Sequence, residues 1–127
     1  MGDVRFSNTK ASFPPVMVTK REQGDAMHSD VYGSDWVVRV DGELDRDRAP
    51  ELEDAVLTCL AVEARDVVLD LSPTTFLDGG GLAAIEESRR RCQEQGCSLW
   101  IDARMAAGVH RVLAIVGLHE LVRPPAG

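Results

Sequence analysis

Three sets of residues in this chain have types and spacings that suit chemistry. The first is Asp78 followed by Gly79, Gly80 and Gly81, directly after the run VVLDLSPTTFL. A carboxylate before a helix caps free backbone N–H groups, and a glycine-rich strand-to-helix turn can present backbone N–H groups to an anion. The second set is Cys59, Cys92 and Cys97. Their odd number and lack of a CxxC pair argue against a disulfide framework or a zinc site. Cys59 falls on an apolar helical stripe, and buried thiols act as small hydrophobes, so filling the core is the favoured reading over redox switching. The third set is the histidines, which are scattered. His110 and His119 read as surface residues, and no nucleophile, base and orienting group share a recognisable spacing. Enzyme activity is therefore not expected, nor is a metal or cofactor.

The glycine tip also lacks the G-x-x-x-x-G-K-[ST] and G-x-G-x-x-G patterns of nucleotide sites, and no Lys or Arg follows it closely. Small-ligand or nucleotide sensing remains a rival reading on the strength of the glycines alone. A tight turn needing unusual φ is an equally simple use for them. If Gly79 and Gly80 are helical, they weaken the helix start by about 1 kcal/mol each relative to Ala, which predicts a mobile tip.

Elements must position that tip. Val67-Val68-Leu69 and Leu71 form an apolar run around Asp70, as expected of a buried parallel strand. Residues 72–77, broken by Pro73, are expected as a loop. A helix is expected from about Gly80 to Gln95, with Leu82, Ala84, Ile85, Ser88 and Cys92 inward and Gly96 as a left-handed cap. Its outer face pairs Glu86 with Arg90 and Glu87 with Arg91 at i to i+4.

Upstream, Trp36 to Val40 reads as a strand, and Asp41-Gly42 as a turn or bulge. A helix should begin between Asp47 and Pro50, since Pro tolerates the first turn. Leu52, Ala55, Val56, Cys59 and Leu60 draw its apolar stripe. Downstream, Cys97 to Ile101 is a further strand. A last helix spans roughly Arg104 to Val116, with Met105, Val109, Val112, Leu113 and Val116 on one face. Gly117 ends it, Leu118 is expected to pack back on Leu113, and His119 to Arg123 suit a short edge strand. Either Val16-Met17-Val18 or Met27 to Tyr32 could supply an early edge strand, and the sequence does not choose between them.

The chain has 127 residues and 44% apolar content, enough for one domain with a modest core. The alternation of strands and helices predicts an α/β fold: a mainly parallel sheet of about four to five strands with helices packed on it. Residues 1–25 are expected as an N-terminal extension, partly disordered or forming an edge strand, residues 26–123 as the domain, and residues 124–127 as a tail. The net charge of −7 argues against DNA, RNA or an anionic membrane as partner. No apolar run is long enough to cross a bilayer and no signal peptide is evident, so a cytoplasmic location is expected.

Several of these segments, taken in order, resemble the STAS domain of bacterial anti-sigma factor antagonists. They are Val38-Arg39-Val40-Asp41-Gly42-Glu43-Leu44-Asp45, Ala49-Pro50-Glu51-Leu52, Val67-Val68-Leu69-Asp70-Leu71-Ser72, Phe76-Leu77-Asp78, Gly81-Leu82, Val109-His110-Arg111-Val112-Leu113 and Val116-Gly117-Leu118. The resemblance spans about Trp36 to Val122. It implies a STAS-like fold and a protein partner: an anti-sigma factor, usually a serine kinase with a histidine-kinase-like ATP fold. It implies a docking surface at Asp45, Asp78, Gly79, Gly80, Gly81 and Leu82. In the family pattern Asp-Ser-Ser-Gly or Asp-Ser-Thr-Gly, the second hydroxyl residue accepts phosphate. Here Asp78 and Gly81 match the ends, but Gly80 stands at the acceptor position. The resemblance thus implies a module that regulates sigma-factor-dependent transcription without the usual switch. Ser72, Thr74 and Thr75 are the nearby hydroxyls that could substitute, although bonding to local backbone is the simpler role. A non-switchable scaffold subunit of a larger STAS assembly is the alternative within the family.

Overall fold

The computed structural model describes residues 16–21 and 35–123. Its strands are β1 (Val16–Arg21), β2 (Asp35–Val40), β3 (Gly42–Leu44), β4 (Asp66–Asp70), β5 (Thr74–Leu77), β6 (Ser98–Asp102) and β7 (Val122–Arg123). The helices are α1 (Ala49–Ala61), α2 (Gly79–Glu94) and α3 (Ala107–Ile115), followed by a 3-10 turn, Leu118–Leu121. The main sheet has the order β1-β2-β4-β6-β7. Strands β2, β4, β6 and β7 are mutually parallel, and β1 joins the edge antiparallel, with Val18 opposite Val38. This is the expected α/β fold. The first candidate strand forms, as part of β1; Met27 to Tyr32 lies outside the described residues.

The sheet grows in one direction as the chain proceeds, so right-handed crossovers place α1, α2 and α3 on the same face. Val38, Leu69 and Ile101 share a register row pointing into that face, and they meet Leu52, Val56, Ile85, Val109 and Leu113 in one core cluster. Each is buried because it sits on the inner period of its own element. The adjacent row, Val37, Val68 and Trp100, points to the opposite face. There the Trp100 indole N–H donates to Asp66 Oδ1 at 3.1 Å, and the Arg123 guanidinium lies 5.3 Å over the ring.

Residues 72–77 differ from the expected loop. Pro73 makes a tight turn, in which Thr74 N donates to Leu71 O at 3.0 Å. The chain then enters β5, which pairs in parallel with β3 as a separate two-stranded sheet. Pro73 cannot donate to a sheet, but its carbonyl accepts from Gly42 N at 3.1 Å. Gly42 has φ +78°, and the register shifts between Gly42 and Glu43, which gives the bulge expected there.

Other details are corrected too. Glu86 pairs with Arg89 at i+3 rather than with Arg90, while Arg90 bridges Glu87 and Glu94, and Arg91 reaches Glu87 at 3.0 Å. The last helix is shorter than expected, Ala107–Ile115, which leaves Val116 exposed beyond its end. Leu118 is buried in the core cluster with Leu113, and a 3-10 turn takes up most of the expected final strand. At the end of α2, Gly96 has φ +76° and Cys97 N donates to Cys92 O at 2.8 Å, closing the left-handed cap.

Candidate functional site

The small β3/β5 sheet creates the site. It sets the end of β3 beside the end of β5, with Leu44 opposite Leu77. The β3–α1 loop and the start of α2 therefore emerge next to each other, and this juxtaposition brings Asp45 to the glycine tip. The turn beneath is fixed by side chains. Asp70 Oδ1 accepts from Ser72 N at 3.0 Å and from Ser72 Oγ at 2.7 Å. Thr74, buried, donates from Oγ1 to Val40 O at 2.7 Å, which ties β5 to the end of β2.

Asp78 is extended at φ −119°, ψ −170°, and its carboxylate accepts from Gly81 N at 3.0 Å. It is the N-cap of α2, as expected. Its own N–H points to Leu44 O at 3.4 Å. On the neighbouring loop, Asp45 Oδ1 accepts from Arg48 N at 3.1 Å, and Asp45 O accepts from Ala49 N at 2.9 Å. Asp45 thus closes the turn that leads into α1, whose N-cap residue, Arg48, makes no side-chain cap of its own. The Arg48 guanidinium donates to Asp41 O at 3.2 Å and holds the back of the loop.

The three glycines have three different environments. A Cβ on Gly79 would meet nothing within 4 Å. A Cβ on Gly80 would lie 2.6 Å from Arg46 Cα and 2.7 Å from Arg46 N. One on Gly81 would lie 2.3 Å from Leu44 O and 2.7 Å from Leu77 Cδ1. Positive φ is not the reason for any of them, because among the described residues the positive-φ glycines are Gly42, Gly96 and Gly117. The tip is therefore not a bare helix end. Two of its glycines exist so that the β3–α1 loop can seat its backbone against α2. Sequence periodicity carries no signal for such close approach.

Leu82 is half-buried and packs on the core, so it joins the tip to the interior as well as to the surface. Two residues absent from the expected set belong to the site by position. Arg46 is exposed and lies directly over Gly80. Phe76 projects outward from β5, 49% exposed, two residues before the cap. Reading residues 72–77 as a strand would have revealed Phe76, since it alternates with inward-facing Leu77.

Among the substitute hydroxyls, Thr74 is buried and committed to Val40 O, and Ser72 is bonded to Asp70. Thr75 is exposed. The cysteines are all buried. Burial, with a nearby Cys97 thiol adding to it, pushes Cys59 and Cys92 up to about 12, and burial raises Cys97 as well. Such thiols are poor nucleophiles at neutral pH. Among the described residues no group of three or more His, Cys, Asp or Glu side chains is placed to hold a metal ion.

The family model described as "Mlab, STAS domain" matches residues 27–123. The chain belongs to the STAS domain family. An anti-sigma factor antagonist from Mycobacterium paratuberculosis is similar in structure, with a TM-score of 0.64 and 24% identity over 91% of this chain and 92% of that one. The anti-sigma factor antagonist SpoIIAA in its unphosphorylated form is similar with a TM-score of 0.63 and 16% identity, over 72% and 80%. The phosphorylated form of Bacillus SpoIIAA gives 0.58 and 14%, over 87% and 92%. At these identities the likeness is one of fold. Within this STAS domain, the tip at residues 78–82 and the loop at residues 45–48 form one continuous edge.

Proposed function

We propose that this STAS domain is an anti-sigma factor antagonist-like docking module that lacks the family's phosphorylation switch. It binds an anti-sigma factor with a histidine-kinase-like fold, and by doing so regulates sigma-factor-dependent transcription in the cytoplasm. Asp45, Asp78, Gly79, Gly80, Gly81 and Leu82 contribute the docking surface, with Arg46 and Phe76 beside them. The module acts by binding and performs no chemistry of its own.

The observation that carries this reading is the meeting of the β3–α1 loop and the α2 tip, in which Arg46 backbone lies over Gly80. That meeting makes one shaped surface out of two segments far apart in sequence. The exposed Phe76 adds an apolar anchor of the kind that interfaces favour. Structural relatives known as anti-sigma factor antagonists, one of them solved in a phosphorylated form, support the class of partner. A phosphoryl group would add about −1.5 to −2 charges to such a surface, and glycine has no oxygen to accept one. Anion or nucleotide binding is disfavoured at the tip, because the Asp78 carboxylate already occupies the N-terminus of α2.

The test is affinity capture from lysate of the source cells, followed by titration calorimetry with each purified protein recovered. A saturable complex with a histidine-kinase-like anti-sigma factor, weakened at least tenfold by Phe76→Ala or Arg46→Glu, supports the reading. Recovery of STAS paralogues alone favours the scaffold alternative. Binding that is indifferent to both substitutions overturns the proposed surface.

A further inference from the structure

We infer that the switch has been lost by steric interlock as well as by chemistry: the backbone of the β3–α1 loop fills the volume that an acceptor side chain at position 80 would need. Restoring a hydroxyl there would therefore displace the loop before it could restore regulation. The regulatory meaning rests on the docking reading above, but the interlock itself does not, and it is measurable without a partner.

A Cβ on Gly80 would lie 2.6 Å from Arg46 Cα and 2.8 Å from Arg46 Cβ. Non-bonded carbons prefer about 3.5–4.0 Å, so relief requires a shift of about 1 Å. Arg46 Cα and N are main-chain atoms and cannot rotate aside as the end of a flexible side chain would.

The loop is also held at both ends. On one side Leu44 O receives the Asp78 N–H, and β3 is paired with β5. On the other side Asp45 receives Arg48 N and Ala49 N, and Arg48 reaches back to Asp41 O. The start of α2 is anchored as well, by Ala84 and Ile85 in the core cluster. Gly81, one residue on, is already so close to Leu44 O that a Cβ there would be 2.3 Å away. Lifting Arg46 thus strains the turn that starts α1, which couples the N-termini of α1 and α2.

Gly79 provides the internal control. Its Cβ direction is open, and it lies on the same turn of the same helix. A side chain there tests the effect of adding bulk to the tip without touching the loop.

The experiment compares Gly79→Ser and Gly80→Ser in the full chain by NMR hydrogen exchange. With the interlock, Gly80→Ser speeds exchange of the Arg48 and Ala49 amides at least tenfold and spreads shift changes over residues 44–49. Gly79→Ser leaves both amides within twofold of the parent. Equal exchange in the two variants, with shift changes confined to residues 79–82, overturns the interlock. Where Gly80→Ser does not fold, one glycine is inserted after Asp47 to give the loop slack. Recovery of a folded Gly80→Ser chain by that insertion supports the interlock. Failure to recover, when the insertion alone folds, overturns it. Loss of partner binding in Gly79→Ser with unchanged exchange would concern the docking surface and leave the interlock standing.

Discussion

The carbonyl oxygen of Leu44 lies 2.3 Å from the point where a Cβ would be built on Gly81, so the end of β3 and the first turn of α2 touch through main chain alone. The same carbonyl takes the Asp78 N–H at 3.4 Å. Gly81→Ala must push these apart or abandon that contact, and overpacking of this kind costs about 1–3 kcal/mol. Gly79→Ala meets nothing and replaces a flexible residue in a helix, which stabilises by about 0.5–1 kcal/mol. Urea unfolding should move the two midpoints in opposite directions.

The Asp78 cap and the Asp45 turn contact are separable by substitution. Asp78 accepts from Gly81 N at 3.0 Å and Asp45 accepts from Arg48 N at 3.1 Å. Asp78→Ala is expected to cost about 1 kcal/mol, the value of a helix N-cap. Asp45→Ala loses one turn hydrogen bond, about 0.5–1.5 kcal/mol, and Asn should retain most of the contribution at either position. Chemical denaturation of the four variants checks this. Because Asp45 is tied to its own loop, Asp45→Asn should also keep partner binding closer to the parent value than Asp45→Ala does.

How much of this was legible beforehand depended on whether a residue's role is periodic or local. The stripe Leu52, Ala55, Val56 and Cys59 and the strand Val67 to Leu69 follow the helix and strand periods, and all are buried. The cap at Asp78 and the left-handed turns at Gly96 and Gly117 follow local backbone chemistry. What stayed hidden depends on tertiary approach. Residues 74–77 are short and follow Pro73 directly, and they form β5 by pairing with β3. Gly80 and Gly81 looked like sources of freedom and prove to be points of contact. Arg46 is an ordinary loop residue in sequence and acquires meaning only from what its backbone covers.

Glu63 shows the same limit and yields a third prediction. It follows α1 at φ +61°, the non-glycine residue among those described that takes this conformation. Ala64 N donates to Cys59 O at 3.1 Å and Glu63 N to Leu60 O at 2.9 Å, a cap in which glycine is the usual occupant. A left-handed L-residue costs about 1–2 kcal/mol, part of which glycine returns as extra unfolded-state entropy. Glu63→Gly should therefore stabilise by up to about 1 kcal/mol, seen as a higher melting temperature with an unchanged denaturant slope.

Phe76 separates stability from recognition. The residue is 49% exposed, so truncation to Ala removes about half of a Phe's buried surface and should cost about 1 kcal/mol. Leu77, at 5% exposure, is its neighbour on the inner side, and Leu77→Ala should cost about 2–5 kcal/mol. A binding defect in Phe76→Ala with a urea midpoint lowered much less than in Leu77→Ala would place the ring at the interface. An equal loss of stability in both variants would contradict the outward orientation.

The buried thiols set the behaviour at alkaline pH. Burial pushes Cys59 and Cys92 up to about 12 in the folded chain, whereas an unfolded thiol ionises near its ordinary value of 9.0. Between those values the unfolded chain has released protons that the folded chain retains. Stability is thus fully present below about pH 9 and declines as pH rises toward 12, at a slope of roughly 1.4 kcal/mol per pH unit for each thiol while the gap persists. The two thiols lie close enough to Cys97 for charges to couple, so their slopes need not simply add. Urea midpoints at pH 7, 9 and 10.5 should fall over the last interval. The Cys59→Ala, Cys92→Ala double variant should be weaker at pH 7, because two core side chains are cut back, yet lose much of the alkaline decline. Reaction with an aromatic disulfide reagent at pH 8 gives an independent reading: labelling limited by opening of the fold matches buried thiols, and labelling at the rate of a free thiol would show that α1 and α2 do not seal them.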